Sequence, residues 1–537
     1  MTSGTGPGAA VALALLLGAL PAAPAAQPAP AANAEPSGVA EGAGAGAATH
    51  AAAADLAAAR ATTDRRDFAA ALPLYERLVQ RAPGNADLLI EAARVFGWAD
   101  RNARSAALYR QALAAAPARR GDIVPSLAWQ TLWSAGAGAA VPLFEEAVAH
   151  EPRNRELGWA LANALNTAGR HREALAVFGR WLPAASERER MDLARALRWA
   201  GYEDRAWPLL REAREPEAAW LRDYRSARDV APYGWAALEL SEDRDTLRSR
   251  SVAAGVGSNV FAGTIVELGT RRATLDDAGG SAGVTTFEAS ARTRLGEPES
   301  PAGTWWPQLV LRTHRVGSAA GSWHPFTSTV RLKWVPADRW RVDAEHSREL
   351  IETPLALANR VHAEVTSLGA DWRRDERLAL AGSVARVRFD DGTARQRLAA
   401  RGEWALLTGN PRWTAGVEAS HLQRTSEGAP GSDARGYWNP RRYDEARAFT
   451  GAHWDWRPWE LQARLGLGRS REVDGAGNAS TGGPHLWELA LAWDPSPAWR
   501  LRASAGGSGQ ALGLAAGGAS GAKYWRRWAN LGLSGWF

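Results

Sequence analysis

The chain reads as an α + β two-domain protein: an N-terminal α-helical repeat solenoid followed by a C-terminal antiparallel transmembrane β-barrel of about 16 strands. Three observations predict this. Small, aromatic and proline residues recur at a spacing near 34 up to about residue 220. From about residue 235 the apolar residues recur at every second position instead. Of the 27 Trp, 8 lie before residue 234 and 19 after it, so the aromatic excess belongs to the second part.

Composition removes several classes. With no Cys among 537 residues, disulfide scaffolds, thiolate metal sites and cysteine nucleophiles are excluded. The formal charge of +6 is carried almost wholly by Arg, Lys occurring only at Lys333 and Lys523. From residue 234 onward 38 basic and 33 acidic residues interleave, a surplus of 5 with no basic run, so nucleic acid is not a partner.

Residues 1–25 read as a secretory signal. Residues 9–20 (AAVALALLLGAL) are too short to span a bilayer and suit the apolar core of a signal, and Ala23-Pro24-Ala25 offers the small-residue cleavage site. The segment before them carries no Lys or Arg, a departure from the usual pattern. Residues 26–54 are Ala, Gly and Pro with few large apolar side chains, which predicts a flexible linker.

Residues 55–220 carry the repeat. Ala71, Tyr75, Leu78 and Pro83 are followed by Ser105, Tyr109, Ala112 and Pro117, then by Ala140, Phe144, Ala147 and Pro152. Ala174, Phe178 and Trp181 continue the series, and Ala206, Leu210, Ala213 and Pro216 close it. The small residue lets two helices approach, the aromatic four positions on fills the groove on the same face, and Pro stops the second helix. The pattern resembles the tetratricopeptide repeat, which implies about five stacked helix pairs and a binding role. Trp98, Trp129, Trp133, Trp159, Trp199 and Trp207 are expected mainly as helix-packing core, with a ligand-stacking face as the alternative. A linker at 221–234 follows.

In residues 235–537, Trp459, Leu461, Ala463, Leu465 and Leu467 alternate with Glu460, Gln462, Arg464, Gly466 and Gly468. Trp499, Leu501 and Ala503 alternate with Arg500 and Arg502, and Val330, Leu332 and Trp334 with Arg331 and Lys333. Turn-rich pieces at 276–283, 297–303, 390–393, 426–436, 474–483 and 513–521 separate the runs. Trp305, Trp306, Trp340, Trp372, Trp404, Trp413, Trp459 and Trp499 stand at segment ends, where an interfacial girdle places them. The last segment sets Leu531, Leu533 and Phe537 on one face and resembles the C-terminal assembly signal of bacterial outer-membrane barrels, with Arg527 a departure within its apolar register. About 300 residues at roughly 18–20 per strand and connection give about 16 strands, enough for an aqueous lumen.

Signal, repeats and barrel in this order resemble the outer-membrane exporters of exopolysaccharides, the poly-N-acetylglucosamine porins and cellulose export subunits. Residues 436–443, Gly-Tyr-Trp-Asn-Pro-Arg-Arg-Tyr, resemble a Gly-Tyr-x-x-Pro-x-x-Tyr stretch in the barrels of the latter. The resemblance implies an outer-membrane pore with periplasmic repeats. Its partners would be an exopolysaccharide, polysaccharide synthesis or modification proteins docking on the repeats, outer-membrane lipid and the barrel assembly machinery. Candidate polymer contacts are Arg331, Lys333, Arg464, Arg500 and Arg502 in the lumen and Tyr437, Trp438, Arg441 and Tyr443 in the 436–443 stretch, each also readable as an ordinary lining charge or loop packing. No cofactor, metal or catalytic residue is expected: the His residues are scattered, and His346 beside Ser347 is a poor candidate for a hydrolase pair. A non-conducting scaffold or adhesion barrel is the alternative reading, and an outer-membrane lipid or glycan hydrolase a third.

Overall fold

The computed structural model describes residues 44–211, 214, 227–261, 263–298, 300–429, 434–509 and 524–537. The expected signal, most of the 26–54 linker, Ala213, Pro216, the first half of the 221–234 linker and the turn at 513–521 lie outside them. Two compact units meet between residues 183 and 184.

The first unit holds α1 (Gly44–Asp64), α2 (Phe68–Arg81), α3 (Ala86–Trp98), α4 (Asn102–Ala115), α5 (Arg120–Ala135), α6 (Ala137–His150), α7 (Arg155–Thr167) and α8 (His171–Gly179). Helix α1 begins at Gly44, inside the stretch expected as linker, because its Ala-rich sequence carries the best intrinsic helix former. The repeat signature is the core: Ala71, Ala112, Ala140, Phe144, Ala147, Ala174 and Phe178 are all fully buried. Asn85 and Asn154 each cap a first helix, their side-chain oxygens accepting from the backbone N–H of Leu88 and Leu157 at 3.1 Å. Pro83, Pro117, Pro152 and Pro183 follow the ends of α2, α4, α6 and α8.

Tryptophan corrects the expectation. Trp159 is buried, but Trp98, Trp133 and Trp199 are 63%, 57% and 47% exposed. Each stands in the last turn of the first helix of its pair, off the stripe of small residues that meets the partner helix.

Glu91 ties the first three helices. Its carboxylate accepts from Arg60 Nε and Nη2, both at 2.7 Å, and from the Tyr75 hydroxyl at 2.8 Å. The Arg60 hydrogen bond holds Glu91 below the ordinary carboxylate range, while burial and Glu91 push Tyr75 up to about 12. A depressed carboxylate stabilises the fold above its unfolded pKa and loses that contribution as pH falls through the folded one. The raised tyrosine contributes below pH 10 and loses its share between 10 and 12. Helical melting followed by circular dichroism should therefore drop on both flanks, and Glu91→Gln should flatten the acid flank, since it removes the carboxylate that Arg60 holds, and only lessen the alkaline one, since the burial of Tyr75 remains. An acid flank as steep as in the parent chain would refute the assignment.

The second unit holds α9 (Glu187–Trp199), α10 (Glu203–Arg211), a short helix Ala227–Val230 and the sheet. Among the described residues sixteen long strands follow in order: β1 (Tyr233–Asp243), β2 (Arg248–Phe261), β3 (Thr264–Asp277), β4 (Gly280–Thr293), β5 (Thr304–Ser318), β6 (Phe326–Ala337), β7 (Trp340–Leu350) and β8 (His362–Arg373), then β9 (Leu378–Phe389), β10 (Thr393–Leu407), β11 (Arg412–Glu427), β12 (Arg442–Trp456), β13 (Trp459–Val473), β14 (His485–Ser496), β15 (Trp499–Ser508) and β16 (Arg526–Trp536). Two short pieces, Gly321–Trp323 and Ala479–Gly482, extend the partners of β5 and β13. Every strand pairs antiparallel with its sequence neighbour, and β1 pairs with β16 from Tyr233↔Trp536 to Asp243↔Arg526, so the sheet closes on itself. Closure leaves no free edge, the condition for a sheet in lipid.

The alternation sets the faces. Val252, Leu268, Leu309, Val330, Val417, Leu465, Leu467 and Leu531 point outward and are exposed, as an apolar band for lipid requires. Connections at the end holding Tyr233 and Phe537 are mostly short, whereas among the described residues the opposite end carries the longer segments 351–361, 434–441 and 474–484. Residues 276–283 are mainly strand, a hairpin turning at Ala278 and Gly279, because the register runs through to Asp277↔Gly280. The girdle is one-sided: most of the 19 barrel Trp gather at the short-turn end, with Trp323, Trp438, Trp487, Trp525 and Trp528 towards the other. Trp306 departs from it, since its register beside Lys333 turns it inward.

Candidate functional site

The inner wall carries charge of both signs, matched across strands. Arg312 meets Glu288 at 2.6 Å, Arg331 meets Glu345 at 2.6 Å and Arg500 meets Glu460 at 2.5 Å. The densest group lies on β10 to β13. Glu418 accepts from Arg447 Nε at 2.7 Å and Arg464 Nη2 at 2.5 Å, and Arg401 and Arg464 stack on the Phe449 ring at 4.6 and 4.2 Å. The glycines at 466 and 468 make room: a Cβ on Gly468 would strike the β12 backbone at Ala446 O, and one on Gly466 would crowd Ala448 O and the Arg447 side chain at 3.1 Å. A lining of paired guanidinium and carboxylate groups offers many donors and acceptors to a hydroxyl-rich polymer without a strong net field.

At the long-loop end two connections turn inward. Between β7 and β8 a short helix, Pro354–Ala358, is capped by Thr353. Its Leu357 is fully buried against Ala273, Leu275, Ala282, Val284 and Val316 of the inner wall. Glu352 beside it makes a two-pronged bond with Arg271 at 2.7 and 2.8 Å. The second connection, residues 434–441, lies on this helix: Thr353 Oγ1 donates to Gly436 O at 2.7 Å, and a Cβ on Gly436 would stand 2.6 Å from Ala356 N. Gly436 has φ +93°, which suits glycine.

Of the two readings of the 436–443 stretch, polymer contact or loop packing, the burial of its aromatic side chains fits the second. Tyr437 is buried, stacks on Phe389 at 4.0 Å, donates to the Asp391 carboxylate and accepts from the Thr393 hydroxyl. Trp438 is also buried; its indole donates to Glu472 at 3.0 Å and its carbonyl accepts from Arg395 at 2.5 Å. Tyr443 packs edge-on against Trp438 and donates to Glu445 at 2.8 Å. No aromatic face in this group is open for stacking on a sugar ring, and Arg441 alone of the four named residues is exposed.

At the short-turn end the last helix pair is fastened to the barrel rim. Tyr202 is fully buried, donating to Gly296 O at 3.0 Å and sharing a hydrogen bond with Thr304 Oγ1 at 2.9 Å. Arg294 bonds Asp204 at 2.6 and 3.0 Å and lies 4.2 Å over the Tyr202 ring. Burial would raise the Asp204 carboxyl, and the Arg294 bonds more than offset it, holding the group below its ordinary range; neighbouring Glu203 is pushed up by burial. Gly201 sits against inward-facing Trp306, over whose ring Lys333 lies at 4.6 Å. Nothing in the sequence marked Tyr202 or Arg294, because neither breaks a local pattern. An open depression of about 540 Å³ lies at this end, lined by Asn410, Arg412, His453, Asp455 and Arg457.

Arg331, Lys333, Arg464, Arg500 and Arg502 therefore all face inward as the alternation predicts, the first four against partners and Arg502 without an ion pair among the described residues. Leu531 and Leu533 face outward beside β1, and Phe537 N donates to Pro232 O at 3.1 Å. His346 and Ser347 point to opposite faces: His346 meets Thr366 outside, while Ser347 donates to Glu349 inside, so they form no pair. Among the described residues no cluster of His and carboxylates is arranged to hold a metal.

Comparison with known proteins agrees with this architecture. Residues 326–472 match the family model described as PgaA membrane beta barrel domain, and residues 137–198 match the tetratricopeptide repeat. No curated protein matches the chain in sequence. Similar solved structures include a "Bacterial polysaccharide outer membrane secretin", 15% identical, covering 57% of this chain and 98% of that one with a TM-score of 0.45. They also include CdiB from Acinetobacter baumannii, 12% identical over 57% of this chain and 60% of that one, TM-score 0.37, and MamA, 14% identical over 32% and 93%, TM-score 0.28. The chain thus joins a helical repeat unit, part of which matches the tetratricopeptide model, to a closed β-barrel, part of which matches the PgaA barrel model.

Proposed function

We propose that this chain is an outer-membrane pore exporting an exopolysaccharide of the poly-N-acetylglucosamine or cellulose kind, with the repeats on the periplasmic side docking the polymer or the proteins that make and modify it. The observation that carries the reading is a closed barrel whose matched inner charges meet a PgaA-type sequence match at 326–472. A growing chain needs no chemistry to leave, only a wet path with weak, repeated contacts; a site that binds tightly releases slowly. Arg331, Arg464, Arg500 and Arg502 supply such contacts in the lumen. Planar-bilayer recording tests this: the purified protein should conduct, and soluble oligosaccharide added on the repeat side should block it in a concentration-dependent way. A barrel that inserts but neither conducts nor responds with its inward loops removed would end the pore reading.

The inward layer at the long-loop end favours one second reading, a plugged barrel serving as scaffold or adhesion platform, and the same recording separates the two. For the repeats, the exposed Trp98 and Trp133, with Trp129 stacked on Trp133 at 5.5 Å, offer faces to sugar rings. If the repeats hold polymer, Trp98→Ala with Trp133→Ala should weaken oligosaccharide binding by about tenfold, two aromatic contacts' worth. Unchanged titration curves would assign the repeats to protein partners.

A further inference from the structure

The outer surface of the barrel is asymmetric in charge. Facing outward at the long-loop end are Arg250 on β2, Arg272 on β3 and Arg315 on β5, all exposed and none in an ion pair among the described residues. They form one lateral row. Arg250 lies across from Thr274, one outward step from Arg272, while Arg272 lies across from Thr285 and Thr285 from Arg315. Thr274 and Thr285 hydroxyls thus interleave three guanidinium groups. The nearest outward carboxylates, Glu242 and Asp276, flank Arg248 one step further out and leave the row cationic.

The height of the row is set by the strands. Arg250 is ten residues from Val260 and Arg315 ten from Trp305, which at about 3.4 Å per residue and a tilt near 40° places them about 26 Å from the aromatic end, the thickness of the apolar band. Between these limits the outward positions of β2, β3 and β5 are uncharged, and Val252, Leu268 and Phe287, 55%, 55% and 58% exposed, lie directly below the row. The same change from apolar to arginine occurs on β9 at Arg386 and Arg388 and on β16 at Arg527. The misfit of Arg527 in an otherwise apolar C-terminal strand is thereby accounted for.

We propose that the row Arg250, Arg272 and Arg315 is a binding site for the phosphate-bearing headgroup of a lipid in the leaflet at the long-loop end. Planar guanidinium forks and hydroxyls are the donors that hold phosphate oxygens, and the apolar step beneath receives the acyl chains. Arginine that served only to reach the interface by its long stem would need neither a lateral row nor the intervening threonines. The site is separate from the lumen, so it stands whether or not a polymer passes through.

The test uses the full chain in zwitterionic nanodiscs with bisphosphorylated lipid A as the probe, and native mass spectrometry to count retained lipid. Bisphosphorylated lipid A should be retained at least tenfold better than its dephosphorylated form. The triple variant R250Q/R272Q/R315Q should lose that preference, while Arg502→Gln in the lumen should keep it. Should the triple variant fail to fold, as judged by heat-modifiable migration, R250K/R272K/R315K preserves the charge and should retain partial preference. Equal retention of both lipid forms, a folded triple variant that retains lipid A like the parent, or displacement of the lipid by millimolar inorganic phosphate would each overturn the assignment.

Discussion

Replacing residues 351–361 by a two-residue turn is expected to raise single-channel conductance by about an order of magnitude, because an apolar constriction passes ions poorly until it is wetted or removed. The segment puts Ile351, Ala356, Leu357 and Val361, all fully buried, into the lumen and supports the 434–441 connection through Thr353 and Gly436. Its removal takes away both layers at once. The milder variant Glu352→Gln, which breaks the two-pronged bond to Arg271, should leave the mean conductance close to that of the parent and increase brief openings. Bilayer currents identical in parent and shortened chains would show that the lumen is restricted elsewhere.

The second large effect is expected at Glu418. Its carboxylate lies between Arg447, whose side chain is 4% exposed, and Arg464. Glu418→Ala removes the charge shared by two guanidinium groups, and such a loss in a buried pair costs about 3 kcal/mol or more. Urea unfolding in lipid vesicles, followed by tryptophan fluorescence, should show the drop. Glu418→Gln keeps one acceptor oxygen and should cost less. A change below about 0.5 kcal/mol for Glu418→Ala would mean that lumenal water solvates the arginines as well as the carboxylate does.

The strands were readable because their two faces lie in different surroundings. At 459–468 the alternation of Leu and Trp with Glu, Gln and Arg is the direct trace of lipid on one side and a polar lumen on the other. The repeat core was readable for a similar reason, Ala71 and Tyr75 recurring wherever two helices must touch. What escaped were the destinations of loops and of single aromatics. For Tyr437 polymer contact and loop packing stay equally open until Phe389 is brought under it, and Gly436 is joined to Thr353 across 83 positions. No local pattern encodes such a contact. Trp98 and Trp133 depart from the packing expected of them because helical spacing fixes which residues share a face and not how far the partner helix extends along it. Trp306 was misplaced because a segment end marks depth, whereas one step of register decides between lipid and lumen.

The seam between β1 and β16 bears on how the protein is made. Leu238 and Leu531 are paired in register although nearly the whole barrel lies between them in sequence, so the last strand must arrive before the first has a second partner. Such a contact is the most expensive in chain entropy and the last to form. Until then β1 and the growing end are open strand edges, templates for wrong pairing. A chain stopped anywhere short of β16 leaves a sheet with two exposed edges instead of a smaller pore, so a nonsense change even eleven residues from the end would give a null phenotype and an aggregating product rather than a leaky channel.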